Sequence, residues 1–177
     1  MGKVCLLYHE KGIIMELFEF LGEIRTTDRQ IQAIQKSIKE LRKTDVLIGI
    51  PQEETDREEG SVTNAELLYI HTNGSPSNNI PPRPVIEPAI QDSKEEIGTL
   101  LKEAILKALE GDTGGAMSGM EKAGLQGENA AKGWFTNPKN NWARNAESTI
   151  KQKGSSKPLI DTSQLRKSIT HIVKKKG

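Results

Sequence analysis

Reactive and charged side chains are scattered along this sequence, and one arginine stands apart from the rest. Arg83 lies between Pro82 and Pro84. The two rings restrict the backbone on both sides and so aim the guanidinium, an arrangement suited to a two-pronged contact with a carboxylate. Its partner is either a carboxylate of the same chain or the acid-rich stretch EETDREE, residues 53–59, of a neighbouring copy; that stretch holds five acids and one arginine. Arg83, Pro84, Glu53, Glu54, Glu58 and Glu59 are therefore candidate assembly contacts. Residues 151–177 have the opposite sign, with eight Lys and Arg against one acid, Asp161. Asp161 could pair with Arg166 or His171 in an acid-base arrangement, but capping a short helix explains it more simply. Asp161 and Arg166 join the candidate contacts.

The other reactive types give no constellation. Cys5 is the only cysteine, so a disulfide framework is excluded and a reducing compartment is the simplest setting. His9, His71 and His171 lack ligand spacing, which argues against a zinc or non-haem iron site. His71 follows the apolar run LLYI and reads as a half-buried structural histidine. The glycines of GDTGGAMSGM lack the Lys-Ser/Thr pair of a phosphate loop and read as a helix connection. No dinucleotide-binding glycine pattern, HExxH or nucleophile elbow is present. The chain is thus expected to be no enzyme and to use no cofactor and no metal.

Bulk properties point the same way. A chain of 177 residues accommodates one domain with its own core. A hydrophobic share of 34% with 4% aromatic, against 28% charged, is lean for a self-sufficient globule and favours burial against other subunits. The net charge of +1 creates no global field toward nucleic acid, so the separated acidic and basic stretches matter more than the total. No run approaches the roughly 18 apolar residues of a membrane span, and MGKVCLLYHEKGIIM is too short and interrupted for a signal peptide. The codons of Lys11-Gly12 permit an AAGG ribosome-binding sequence shortly before the Met15 codon. Residues 1–14 are therefore a candidate translated leader, and 15–177 the single domain.

The elements that must position these groups follow from periodicity. Ile31, Ile34, Ile38 and Leu41 form one helical stripe over 28–43, with Asp28 available as N-cap. DVLIGIP, 45–51, reads as a strand, followed by an acidic loop at 52–60. Thr63 and Glu66 have capping-box spacing and open a short helix ending near Gly74. Prolines crowd residues 74–88, which read as an extended loop. Ser93 and Glu96 repeat the capping box and open the strongest helix, through Leu109, the expected centre of the core. Residues 116–133 are dominated by small side chains, best explained by close packing of a helix against another backbone. After a turn at 136–142, one or two helical turns fall within 143–150, and KQKGSSKP reads as a flexible basic linker. Asp161 and Gln164 fit a D-x-x-Q cap for a helix over 162–167. A final β-branched strand covers 168–173, leaving 174–177 loose. The expected fold is α+β, a small mixed sheet packed against two or three amphipathic helices, with the proline-rich loop and a C-terminal strand.

The order AELLYIHTNG, IPPRPVIEPAI, a long amphipathic helix, GLQGENAAKGWFTN and KGSSKPLIDTSQLRKSIT resembles the head-tail joining proteins of tailed double-stranded DNA bacteriophages, also called neck, tail-completion or virion-morphogenesis proteins. The resemblance covers roughly residues 46–173. Its most specific parts are the RP step at Arg83-Pro84 and PLIDTSQLRKSI at 158–169. The chain departs from the family in having Ser163 where glycine is typical and Val85 where an aromatic usually follows the RP step. The resemblance implies a virion subunit, present in the host cytoplasm during assembly, that forms a homo-oligomeric ring such as a hexamer at the head-tail junction. Its implied partners are head-closure, tail-terminator or tail-tube proteins, with non-specific contact to packaged DNA and no membrane. A DNA-binding regulator using the basic C-terminal segment is the alternative, weakened by the absence of a recognisable reading helix and by few aromatics for stacking.

Overall fold

A computed structural model of the chain describes residues 28–51, 62–160 and 163–176. The 1–14 leader and the whole acidic loop at 52–60 lie outside the described residues. The described elements are α1 (Asp28–Arg42), β1 (Thr44–Gly49), α2 (Asn64–Asn73), a 3-10 turn (Pro76–Asn78), α3 (Ile86–Asp92), α4 (Lys94–Leu109), α5 (Thr113–Trp134), a second 3-10 turn (Pro138–Asn140), α6 (Glu147–Lys153), α7 (Gln164–Lys167) and β2 (Thr170–Lys175). The fold is α+β, with seven α-helices and one small sheet among the described residues. That sheet is a two-stranded antiparallel ribbon, simpler than the mixed sheet expected, with Thr44 opposite Lys175 and Gly49 opposite Thr170.

The small-residue helix α5 is the hub. It packs against α4, α1, α3 and both strands. A Cβ added at Gly119 would lie 2.6 Å from Ala104 Cβ, so α4 and α5 approach nearly backbone to backbone. Gly124 takes the His171 ring, and Gly127 takes the side chains of Ile48 and Ile90. Glycine costs helix stability, and each of these positions uses the space released. The expectation that α4 forms the centre of the core is corrected here. Only Ala104 and Ala108 of α4 are buried, while its large residue Leu106 is 42% exposed. A stripe of large side chains holds neighbours at arm's length, whereas small residues let several elements share one helix.

The main core lies at the other end of α5. Val85, Ile86, Ala89 and Ile90 meet Ala131, Trp134 and Phe135, and Leu165 and Ile169 close the cluster. Ribbon and core are continuous through α5. Val46 and Ile48 face that helix; with them, by register, go Val173 and His171, leaving Leu47 and Ile172 on the outer face.

Of the local readings, the first capping box holds. The capping box at α2 forms in both directions, with Glu66 N–H donating to Thr63 Oγ1 and Thr63 N–H to Glu66 Oε2. The second box does not form. Ser93 makes no side-chain cap, because α3 runs up to it and Ser93 N–H already donates to Ala89 O. It is a joint between two helices rather than a start. The proline-rich loop accordingly ends earlier than 88: Pro88 sits in the first turn of α3, where its missing N–H has no intrahelical acceptor to lose. The GDTGG break is shorter than expected too. Gly111 turns the chain at φ 81°, and Asp112 caps α5 by accepting from Gly115 N–H.

Candidate functional site

The RP step is built inward. Gly74 ends α2 with φ 74°, and a Cβ there would lie 2.9 Å from Ile80 O and Pro82 N, so the tight turn closed by Ser75 and Ile80 excludes other residues. Residues 81–85 then carry no regular secondary structure, with Arg83 N–H donating to His71 O. The Arg83 side chain is 7% exposed. Its Nη2 donates to Ala143 O at 2.9 Å and Arg144 O at 3.4 Å, and its Nε to Ala143 O at 3.3 Å. Burial lowers the guanidinium pKa from its usual range, but it remains a cation. Among the described residues, Arg83 therefore clasps backbone carbonyls of its own chain, in place of either carboxylate contact considered for it, within the chain or on a neighbouring copy.

The clasped segment carries the structure onward. Trp142 Nε1 donates to Pro84 O at 3.1 Å, and the Trp142 ring meets Phe135 edge to face at 5.9 Å. Next in sequence, buried Asn145 donates from Nδ2 to Ser156 O at 3.4 Å and Lys157 O at 3.3 Å. The KQKGSSKP stretch is thus pinned rather than a free linker: Lys151–Lys153 belong to α6, Gly154 ends it at φ 66°, and Asn145 holds the next turn. Across from it, Asn64 Nδ2 at the start of α2 donates to Ser168 Oγ at 2.8 Å. A cleft of about 280 Å³ remains between α2, α6 and α7, lined by Leu67, His71, Arg83, Asn145 and Leu165 among others.

α7 begins at Gln164, with Ser163 in the cap position at φ 65°. Gln164 is therefore the first helical residue and not the third, and the D-x-x-Q box is corrected: the left-handed turn at Ser163 resets the chain direction immediately before the helix. Asp161, Glu53, Glu54, Glu58 and Glu59 lie outside the described residues. Pro84 supplies its carbonyl to Trp142, and Arg166 is partly exposed on α7.

A second polar cluster joins β2 to α5. Glu128 Oε2 accepts from His171 Nδ1 at 2.6 Å, His171 N–H at 3.2 Å and Thr170 Oγ1 at 3.3 Å; its Oε1 accepts from Lys132 Nζ at 2.7 Å. Burial pushes the Glu128 carboxyl up, but hydrogen bonds from Lys132 and His171 outweigh it and hold the group below the usual carboxylate range. His171 Nε2 lies 3.3 Å from the exposed Glu121, on the far edge of the ring. The two carboxylates flank the imidazole and cannot converge on one ion. Among the described residues no group of His, Cys, Asp or Glu is arranged to hold a metal, and no helix is long and apolar enough to cross a membrane.

The third feature is a basic end. Lys36, Lys39 and Lys43 line an open groove on the outer face of α1 together with Glu40. Register brings Lys174 opposite Asp45 and Lys175 opposite Thr44, and Lys176 N–H donates to Lys43 O. The strand therefore runs through Lys175, and the expectation of a loose 174–177 is corrected: pairing with β1 orders these lysines, while Gly177 lies outside the described residues. Glu40 is held below its usual range, chiefly by the Lys175 hydrogen bond and charge, then by Lys43 and Lys36.

Reading the sequence missed Trp142, Asn145 and Glu128. Glu128 had a signal, the four-residue spacing to Lys132 on one helix face; Trp142 and Asn145 had none, because their acceptors are distant backbone carbonyls. In comparison with known proteins, the chain matches no family model, no curated protein and no solved structure.

Proposed function

We propose that this chain is a virion structural protein of the head-tail junction of a tailed bacteriophage, working as a ring-forming subunit of the neck or tail-completion type. The observation that carries the reading is the meeting of the two most specific stretches of the resemblance. Arg83-Pro84 and 158–169 are far apart in sequence, yet Arg83 lines one cleft with Leu159, Ser163 and Leu165, while the segment 142–145 clasps the first stretch through Ala143, Arg144 and Trp142 and holds Lys157, just before the second, through Asn145. Ser163 adds support. It adopts the left-handed conformation that favours glycine, the residue typical of the family at that position.

The polar residues of these stretches hold backbone carbonyls, which is the work of a scaffold. Such a subunit acts through surfaces: copies of itself, the head-closure, tail-terminator or tail-tube proteins on either side, and DNA in the lumen. Deleting the gene from its phage and imaging the lysate tests the reading. Separate full heads and finished tails are expected; virions of normal form would overturn it.

A further inference from the structure

We propose that the basic end formed by α1 and β2 docks the acidic segment 53–59 of a second copy, so that subunits join head to tail. This deepens the ring-assembly reading and rests on it. Lys36, Lys39, Lys43, Lys174, Lys175 and Lys176 gather at one end of the ribbon, contributed by two segments that only the antiparallel register brings together. Within those segments, 36–45 and 174–176, the acids are Glu40 and Asp45. Each makes one ion pair: Lys175 Nζ lies 2.7 Å from Glu40 and Lys176 Nζ 3.3 Å from Asp45. A clear excess of positive charge is left at this end, beside the open groove that Lys36, Lys39 and Lys43 line.

The complementary charge belongs to the same chain. EETDREE follows β1 beyond Gly49, whereas the lysines lie at Thr44. A contact between two different patches of the same chain is heterologous, and it builds a ring when its rotation closes. Lysines rather than arginines suit it: a compact, flexible ammonium pairs with a run of carboxylates without needing a fixed fork. The patch has no aromatic residue in 36–45 or 174–176 on which a base could stack, so an acidic protein segment fits it better than single-stranded nucleic acid.

The test is charge reversal on the full chain, read by analytical ultracentrifugation at about 0.15 M salt. One variant carries K36E, K39E, K43E and K174E; the other carries E53K, E54K, E58K and E59K. Wild type is expected to assemble, with assembly weakened roughly tenfold or more as salt rises. Each variant alone is expected to stay monomeric with an unchanged circular dichroism spectrum and melting temperature. Mixed one to one, the two are expected to assemble, because each then offers the charge the other needs. Assembly of either variant alone, a mixture that stays monomeric, or a wild type that is monomeric at every concentration would overturn the contact. Loss of duplex DNA retention in the lysine variant with its assembly intact would also overturn it and reassign the patch to nucleic acid. The head-tail reading is judged separately, by the gene-deletion phenotype: unjoined heads and tails with a failed charge swap would remove this contact and leave that reading standing.

Discussion

Arg83 illustrates how a buried cation holds a loop without a carboxylate. Its donors satisfy the carbonyls of Ala143 and Arg144, and truncation would both remove these bonds and empty the buried space the side chain fills. Arg83→Ala is expected to destabilise the protein by about 2–4 kcal/mol in urea denaturation. Arg83→Lys is expected to recover less than half of that loss, since one ammonium cannot reproduce the planar fork; full recovery would mean that charge alone matters. Glu128 gives a different readout. Its carboxyl is depressed in the folded protein, so its stabilising contribution is present above the unfolded value, near about pH 4.3, and is lost as pH falls through the lower folded value. Glu128→Gln removes that dependence, and its unfolding free energy is expected to fall less steeply than wild type between about pH 5 and 3. Parallel slopes would show that Glu128 titrates alike in both states.

Among the elements, α5 decides the architecture by what it lacks. Its glycines and alanines allow α4, α3, α1 and the ribbon to approach a single helix, and the cost in helix propensity is offset by that packing. Gly119→Ala would push a methyl group into Ala104, whose backbone cannot yield cheaply. A loss of roughly 1–3 kcal/mol is expected in thermal or chemical unfolding. Gly98 of α4 meets nothing within 4 Å, so Gly98→Ala should instead add roughly 0.5–1 kcal/mol through helix propensity. If the two substitutions moved stability the same way, close approach would not be the reason for glycine at 119. The elements also show which local signals can be trusted. Thr63 forms its capping box because α2 begins afresh after the acidic stretch. Ser93, with the same spacing to Glu96, does not, because α3 already supplies an acceptor for its N–H. Spacing alone could not distinguish the two, since the difference lies in the helical turns before Ser93, which proline content had disguised as loop.

At the scale of the whole molecule, the C-terminal stretch completes a fold begun near the other end of the described chain. β2 pairs with β1, Leu165 and Ile169 enter the main core, and Ser168 takes the amide of Asn64. A two-stranded ribbon is marginal without a partner surface, so β1 depends on β2 and both depend on α5. A chain ending at Ser163 is expected to lose its cooperative thermal transition and to show Trp134 and Trp142 fluorescence shifted toward that of exposed indole. A truncated chain that melts as sharply as the full length would show that the helices fold independently of the ribbon.

The amino-acid sequence by itself determined the α+β class, the helical stripe of α1, the capping box of α2, the close-packing role of the small residues in α5 and the separation of acidic from basic charge. These are legible because each depends on residues a few positions apart or on composition. Only the tertiary structure decided that α5 rather than α4 is the hub, that Arg83 turns inward to clasp Ala143 and Arg144, that Glu128 anchors His171, and that lysines of α1 and β2 form one basic end. Each of these depends on partners dozens of residues away, and two on backbone carbonyls, which look the same in every residue and leave no mark in the sequence.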